Sequence, residues 1–264
     1  MTAALVLAGT RPGGDQLAEA LGVAHKCLIE LDGEPLLQRV IRAIEQAGIP
    51  TIAVSCAEGP VADLARELGA RVIPSRSGPS ESVAAGFALL GAPMLVTTSD
   101  HALLDPQWIR QLIGDTPETA DLSVMLARRD SVEQALPGSQ RTYLRFADGQ
   151  WSGCNLFYLR SQAGGKAIQT WKAVEADRKR PWRIAARLGP STLLSMGLRR
   201  LTLQEGLARL GKRIGVEATL VPACDGLAAV DVDKMSDLET VRDLLSRRAE
   251  ESVRGDGAGR PGDS

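Results

Sequence analysis

The residues that could do chemistry lie at three distant places: Leu7-Ala8-Gly9-Thr10-Arg11-Pro12-Gly13-Gly14 near the start, Asp100-His101 in the middle, and Asp231 and Asp233 near the end. Glycine backbones let an anion come close and can turn their N–H groups toward it, and Arg11 and the lone Lys26 would add charge from the two ends of the loop. That layout suggests a grip for a triphosphate. It is not the Walker pattern, because no Gly-Lys-Ser/Thr follows, nor the dinucleotide fingerprint, because Gly9, Gly13 and Gly14 are wrongly spaced and no helix starts at once. The aspartates suggest a metal. Mg²⁺ takes hard oxygen ligands in octahedral geometry, usually one or two carboxylates plus substrate phosphates and waters, and Asp100 with Asp233 would satisfy it. Aspartates two apart in a strand share a face, which pairs Asp231 with Asp233, whereas Asp237 reads as part of a helix start.

These residues need a scaffold that brings them together. Apolar runs at Ala3 to Leu7, Leu28 to Leu31, Thr51 to Cys56, Arg71 to Pro74 and Met94 to Thr98 read as strands. Between them, helical spacing appears at Pro35 to Ala47, with Leu36, Leu37, Val40, Ile41 and Ile44 on one face and Gly48 as the stop, and again at Val61 to Leu68 and Ser80 to Leu90. This β-α-β alternation predicts an α/β three-layer sandwich with a mostly parallel, Rossmann-like central sheet. In such sheets ligands bind beyond the carboxyl ends of the strands. The opening loop, the polar stretch Ser75 to Ser82, and Ser99-Asp100-His101 all fall at such ends.

Past residue 120 the pattern changes. Leu122 to Leu126 is a further strand, and Thr142 to Phe146 with Gln150 to Leu159 reads as a hairpin turning at Asp148-Gly149. Arg178-Lys179-Arg180-Pro181-Trp182 is a basic, proline-broken connection, followed by helical stretches at Ser191 to Met196 and Thr202 to Leu210. Val216 to Val221 and Leu227 to Val232 return to strand character, and Ser236 to Arg248 reads as a closing helix. The expected organisation is one domain over 1–248, with a β-hairpin and helical insertion or acceptor-side lid at about 135–215, and a disordered tail at 249–264.

Composition excludes other classes. The chain has 264 residues, 44% hydrophobic and 24% charged, with a net charge of −1 and scattered basic residues, which is unlike the footprint of a nucleic-acid binder. Cys27, Cys56, Cys154 and Cys224 are far apart with no Cys-x-x-Cys pair, so they read as small core residues in a reducing cytoplasm. The first residues lack the basic region of a signal peptide, and no run approaches the roughly 20 apolar residues of a membrane span. A cytoplasmic protein is expected.

Taken in order, Leu7-Ala8-Gly9-Thr10-Arg11, Lys26, Gly33-Glu34-Pro35-Leu36-Leu37, the strand ending in Asp100, and Asp231-Val232-Asp233 with Asp237-Leu238 resemble the nucleotidyltransferases of the glycosyltransferase-A-like fold. That superfamily includes molybdenum-cofactor guanylyltransferase, CMP-Kdo synthetase, methylerythritol-phosphate cytidylyltransferase and the sugar-1-phosphate pyrophosphorylases. The resemblance spans roughly residues 3 to 245. It implies that Leu7, Ala8, Gly9, Thr10, Arg11, Gly13, Lys26 and Asp100 surround the nucleoside triphosphate, with Arg11, Lys26 and Asp100 as the catalytic groups and Asp100 and Asp233 on Mg²⁺. Ser80-Glu81-Ser82-Val83-Ala84-Ala85-Gly86-Phe87 is similar to the helix start beside the base and ribose in cytidylyltransferases, which adds Ser80 and Ser82 to the nucleotide site and favours CTP. The sequence departs from the family pattern at Thr10, at Pro12 and in the longer run Asp15 to His25 before the lysine.

The implied reaction is attack by a phosphate oxygen of a second substrate on the α-phosphorus of the triphosphate, with pyrophosphate leaving. The attacking phosphate is already anionic, so positioning and charge neutralisation suffice. His101 is then structural or orienting rather than a general base. A phosphorylated acceptor, a polyol or sugar phosphate, needs basic and amide partners, for which Arg141, Asn155, Arg178 and Lys179 are the candidates. Alternatives are a molybdenum-cofactor-type guanylyltransferase and a glycosyltransferase of the same fold. The latter would want Asp-x-Asp where this chain has Asp100-His101-Ala102. The expected partners are an NTP and the acceptor, with no nucleic acid, no membrane span, and a homodimer left open.

Overall fold

The structure, a computed structural model, describes residues 1–10, 14–139, 141–176 and 200–257. Its main sheet has eight strands: β1 (Ala3–Leu7), β4 (Thr51–Cys56), β5 (Arg71–Pro74), β6 (Met94–Thr98), β7 (Leu122–Arg128), β8 (Leu144–Phe146), β9 (Gly149–Leu159) and β10 (Ala218–Pro222). The order is β10-β7-β9-β6-β1-β4-β5, with β8 attached to β9. Every antiparallel pairing in this sheet, among the described residues, involves β9, which runs against β6, β7 and β8. The sheet is therefore mostly parallel, as its β-α-β alternation demands, and β9 enters it from the opposite direction.

The central strands lack an exposed face, and their residues alternate between two cores. In β1, Ala4 and Val6 join the larger cluster while Leu5 joins the smaller, and all three are fully buried. The larger cluster is covered by α2 (Leu36–Gln46), α3 (Pro60–Glu67), α5 (Pro106–Gly114) and α9 (Met235–Gly257). Leu36, Leu37, Val40, Ile41 and Ile44 of α2 are buried there as their spacing requires, each burial stabilising by about 1.5–3 kcal/mol relative to exposure. Gly48 ends that helix with φ of +90°, a conformation that costs glycine little. The other face is covered by α4 (Pro79–Leu90) and α7 (Gly165–Ala176). There Gly86 lets α4 close on β1, since a Cβ at that position would stand 2.5 Å from Leu5 Cδ2.

Several expected elements differ. Leu28 to Leu31 is not a sheet strand: a 3₁₀ turn at Lys26–Leu28 leads into a small separate hairpin of β2 (Glu30–Leu31) and β3 (Glu34–Pro35). Leu227 to Val232 is not a strand either, because Gly226–Ala229 forms a 3₁₀ turn packed against α6 (Arg129–Ala135) and the chain then runs on without ladder bonds. The closing helix continues past Arg248 into the expected tail as far as Gly257, with no proline before Pro261 to stop it. The short helix α1 (Gln16–Ala20), capped by Asp15, was not foreseen. The expected hairpin turn at Asp148-Gly149 does form between β8 and β9. The helix expected at Thr202 to Leu210 is α8 (Leu203–Ile214), opened by reciprocal Thr202 and Glu205 hydrogen bonds. The stretches at 178–182 and Ser191 to Met196 lie outside the described residues.

Candidate nucleotide site

The site is built where β1 and β6 end side by side. Leu7 accepts from the Ser99 N–H at 3.0 Å and Ala8 N–H donates to Ser55 at 2.9 Å, which fixes the start of the glycine loop against the ends of β6 and β4. Gly9 then passes Ser75 beyond β5, with room for a Cβ at an ordinary 3.6 Å contact and no left-handed backbone. Thr10 is exposed. Arg11 and Gly13 lie outside the described residues, as do Arg178 and Lys179.

Lys26 is carried by its 3₁₀ turn, which His25 caps by accepting from the Cys27 N–H through Nδ1 at 3.1 Å. Burial pushes the His25 imidazole below its ordinary value, which keeps Nδ1 free to accept. From this turn the Lys26 ammonium reaches Asp100 in an ion pair and donates to Asp233 Oδ1 at 2.7 Å. The Lys26 side chain is 15% exposed and that of Asp100 11%, against 51% for Asp233, so the pair sits inside and Asp233 closes it from outside. Burial works against both charges. The mutual attraction overrides it, holding the Asp100 carboxyl below the usual carboxylate range and raising the ammonium above its ordinary value.

Neither aspartate is consumed by capping. Asp105 caps α5 through Gln107 N–H at 2.7 Å, and Asp237 accepts from the N–H groups of Asp233 and Lys234 at the start of α9, as expected for that residue. Both are thereby freed for Lys26. Among the described residues no three His, Cys, Asp or Glu side chains converge as a metal-binding group. Asp100 and Asp233 do supply two hard carboxylates at one place, and Asp100 Oδ1 is buried with no hydrogen-bond partner among the described residues. That donor set fits a Mg²⁺ ion completed by substrate phosphates and waters.

Asp231 does not share a partner with Asp233. It pairs with the Arg141 guanidinium and accepts from Asn155 Nδ2 at 2.9 Å, while the Val232 N–H between the two aspartates donates to the Asp100 carbonyl at 3.1 Å. The expectation of a common strand face fails because the segment is not a strand. Arg141 and Asn155, expected on the acceptor side, are thus gathered next to Asp100 by a residue whose part was not read from the sequence. The available signal was a carboxylate among Ala229, Val230 and Val232, which once buried needs donors.

Ser80 and Ser82 are buried at the start of α4. The Ser82 hydroxyl oxygen accepts from the Arg76 N–H at 3.0 Å, and the Ser80 N–H donates to Glu175 Oε2 at 3.2 Å. A cavity of about 240 Å³ opens there, lined by Arg76, Ser80 and Glu81 and by Ile168, Gln169 and Lys172 of α7. His101 is fully buried, stacked on Trp108 at 5.9 Å between ring centroids, and burial lowers its pKa to about 4. It is a neutral core ring. Cys27, Cys56 and Cys154 are buried, and burial raises each thiol, so none is a thiolate nucleophile; Cys224 is exposed, contrary to the expected core position.

A mostly parallel sheet with a glycine-bearing loop, a lysine and paired carboxylates on its C-terminal edge defines a nucleotidyltransferase. The chain belongs to the family of the MobA-like NTP transferase domain, whose sequence model matches residues 4–181. A hypothetical transferase from Thermus thermophilus is 30% identical, with a TM-score of 0.75 over 90% of this chain and 100% of that one. Two more distant structures show the same fold. CMP:2-keto-3-deoxy-manno-octonic acid synthetase complexed with CTP is 16% identical, with a TM-score of 0.57 over 94% of this chain and 99% of its own. The CTP:phosphocholine cytidylyltransferase from Streptococcus pneumoniae is 11% identical, with a TM-score of 0.58 over 92% and 99%. No curated protein sequence matches the chain. No helix among the described residues is long and apolar enough to cross a membrane.

Proposed function

We propose that this protein transfers CMP from CTP to a phosphorylated small-molecule acceptor, a polyol or sugar phosphate, and releases pyrophosphate, as a single cytoplasmic domain. The observation that carries the reading is the convergence of Lys26, Asp100 and Asp233 at the edge where the glycine loop begins. Ammonium and carboxylates neutralise one another until a polyanion enters, and a triphosphate offers the ammonium a competing set of oxygens. Among the described residues a Cβ at position 9 would meet only Ser75 at an ordinary 3.6 Å, so a glycine there suits a backbone that a phosphate approaches closely.

Lys26, with Arg11 from the loop, offsets charge that builds on the phosphates as the acceptor oxygen attacks the α-phosphorus in line. Mg²⁺ held by Asp100 and Asp233 would clamp phosphate oxygens and neutralise their charge. No protein base is needed, and buried His101 could not serve as one. Ser80 and Ser82 stand at the base and ribose side, with the Ser82 hydroxyl proton still free to donate because its oxygen is the acceptor for Arg76. Arg141 and Asn155, with Arg178 and Lys179, hold the acceptor. The helix start Ser80 to Phe87 favours a cytidine donor, and the CTP named for both distant structures agrees with it. A glycosyltransferase is disfavoured, because the second position of an Asp-x-Asp would fall at Ala102, which is buried.

Thermal melts with each of the four NTPs, with and without Mg²⁺, test the donor assignment. CTP with Mg²⁺ should give the largest shift. A larger shift with GTP would favour the guanylyltransferase alternative.

A further inference from the structure

Asn155 has a φ of +50° in the middle of a strand, a conformation that an asparagine adopts at a cost and that the surroundings must enforce. The reason lies in the ladder. Strand β9 pairs with β7 at Val124–Phe157 and again at Leu126–Gly153, so Met125 alone faces the stretch Cys154, Asn155 and Leu156. This bulge comes just beyond Val96–Phe157, the last pairing of β9 with β6, where β6 runs on to Asp100. A bulge bends its strand and re-aims a side chain, here the Asn155 amide, which donates to Asp231 Oδ2.

Asp231 Oδ1 takes the other partner, the Arg141 guanidinium. Both side chains of this ion pair are largely shielded, at 15% exposure for Arg141 and 17% for Asp231. Both oxygens of Asp231 are therefore committed to protein donors. Arg141 is not exhausted in return: its Nε is buried with no hydrogen-bond partner among the described residues, and so is the Tyr143 hydroxyl two residues on. Unpaired buried donors in a site of this kind await an acceptor, since leaving them unmade costs free energy.

We propose that Asp231 is a positioning residue and not a metal ligand: it holds Arg141 and Asn155 as one unit whose remaining donors take the phosphoryl group of the acceptor substrate. The proposal rests on the nucleotidyl-transfer reading above. It divides the two neighbouring aspartates by task, Asp233 with Lys26 on the triphosphate side and Asp231 with Arg141 on the acceptor side. The Val232 N–H bond to the Asp100 carbonyl keeps the two sides in register. An arginine tethered through one guanidinium nitrogen to a largely shielded carboxylate keeps its planar fork aimed, which a free lysine would not.

The test separates the two tasks with two probes on the full chain. The first is the affinity for α,β-methylene-CTP with Mg²⁺, by calorimetry. The second is the affinity of inorganic phosphate for protein saturated with that analogue. Asp231→Asn should keep nucleotide affinity within twofold of wild type and weaken phosphate at least tenfold, whereas Asp233→Asn should weaken the nucleotide tenfold or more. Arg141→Lys should reproduce the Asp231→Asn pattern, and it carries the test if Asp231→Asn fails to fold. Equal loss of Mg²⁺-dependent nucleotide affinity in Asp231→Asn and Asp233→Asn would overturn the proposal by making Asp231 a metal ligand. Unchanged phosphate affinity in Asp231→Asn and Arg141→Lys, or no phosphate binding to the saturated wild type, would overturn it while leaving nucleotidyl transfer standing. Failure of the wild type to bind the nucleotide analogue would remove the underlying reading and this proposal together.

Discussion

Lys26 donates to Asp233 across 207 positions of sequence, at 2.7 Å. The match to the family's sequence model covers residues 4–181, so the lysine comes from inside that region and the aspartate from beyond it. Lys26 is brought by a turn just after the glycine loop, and Asp233 by the irregular segment that precedes the closing helix. The contact makes the C-terminal part of the chain a structural component of the site.

Removing Lys26 should cost chemistry and also stability, because the buried Asp100 carboxylate loses its inner partner. Turnover of Lys26→Ala, read as pyrophosphate release, is expected to fall about a hundred- to a thousandfold, the loss typical of deleting one preorganised charge partner of a transition state. At a temperature where the variant is folded, its circular dichroism should match wild type, so that the loss of turnover is read apart from the loss of stability. Because Asp100 and Asp233 then face each other without their ammonium, Mg²⁺ alone should raise the melting temperature of the variant more than that of wild type. Near-normal turnover would mean that the lysine has been assigned the wrong role.

The two carboxylates on Lys26 should differ in what they contribute to stability. Asp233 is half exposed, so Asp233→Asn should cost no more than about 1 kcal/mol. Asp100 is buried, and Asp100→Asn strips a buried ammonium of its inner partner, at a cost of up to about 3–5 kcal/mol. Urea denaturation of both variants measures the difference, and equal effects would contradict the inside-outside arrangement. The Asp100 carboxyl sits below its ordinary value of 3.8, so its stabilisation is present above that pH and is lost as pH falls through the lower folded value.

His101 should make the protein acid-sensitive at milder pH. Its ring titrates near 4 when folded against 6.5 when unfolded, so the unfolded chain binds the extra proton first. Stability is full above about 6.5 and declines as pH falls toward 4, by on the order of 3 kcal/mol in all. His101→Phe, which keeps a ring against Trp108, should flatten that part of the stability profile. A slope unchanged by the substitution would assign the acid sensitivity to another group.

Gly226 ties the aspartate segment to the rest of the molecule. A Cβ there would collide with the backbone of Ser131 and Val132 in α6, which cannot yield as a flexible side chain does. Gly226→Ala should therefore destabilise by about 1–3 kcal/mol and, by pushing the segment outward, reduce turnover as well. Loss of stability with full activity at a temperature where the variant is folded would show that the segment is not positioned by this contact.

Much of the architecture was legible because strands and helices here follow their own periodicities. The fully apolar run Met94 to Thr98 and the α2 spacing left little choice, and the hairpin was marked by Asp148-Gly149. The short pieces were harder. Leu28 to Leu31 is apolar enough for a strand, yet its pairing is decided by His25 capping a 3₁₀ turn and by a two-residue partner in β3. Leu227 to Val232 likewise looks extended, but Gly226 packing on α6 curls its first half into a turn. In the site, Lys26, Asp100 and Asp233 could be singled out by residue type and order. The apolar setting of Asp231 marked a need for donors, but not which ones, because Asn155 reaches it through a bulge in β9 that no local signal announces.

The central claim is that the edge holding Lys26, Asp100 and Asp233 turns over CTP. The most direct measurement is pyrophosphate release from each of the four NTPs with Mg²⁺ against a panel of phosphorylated polyols and sugars. Release is expected with CTP and at least one phosphorylated acceptor, and it should be abolished by chelation and by Asp100→Asn. No turnover with any NTP, together with no NTP-dependent thermal shift, would contradict it.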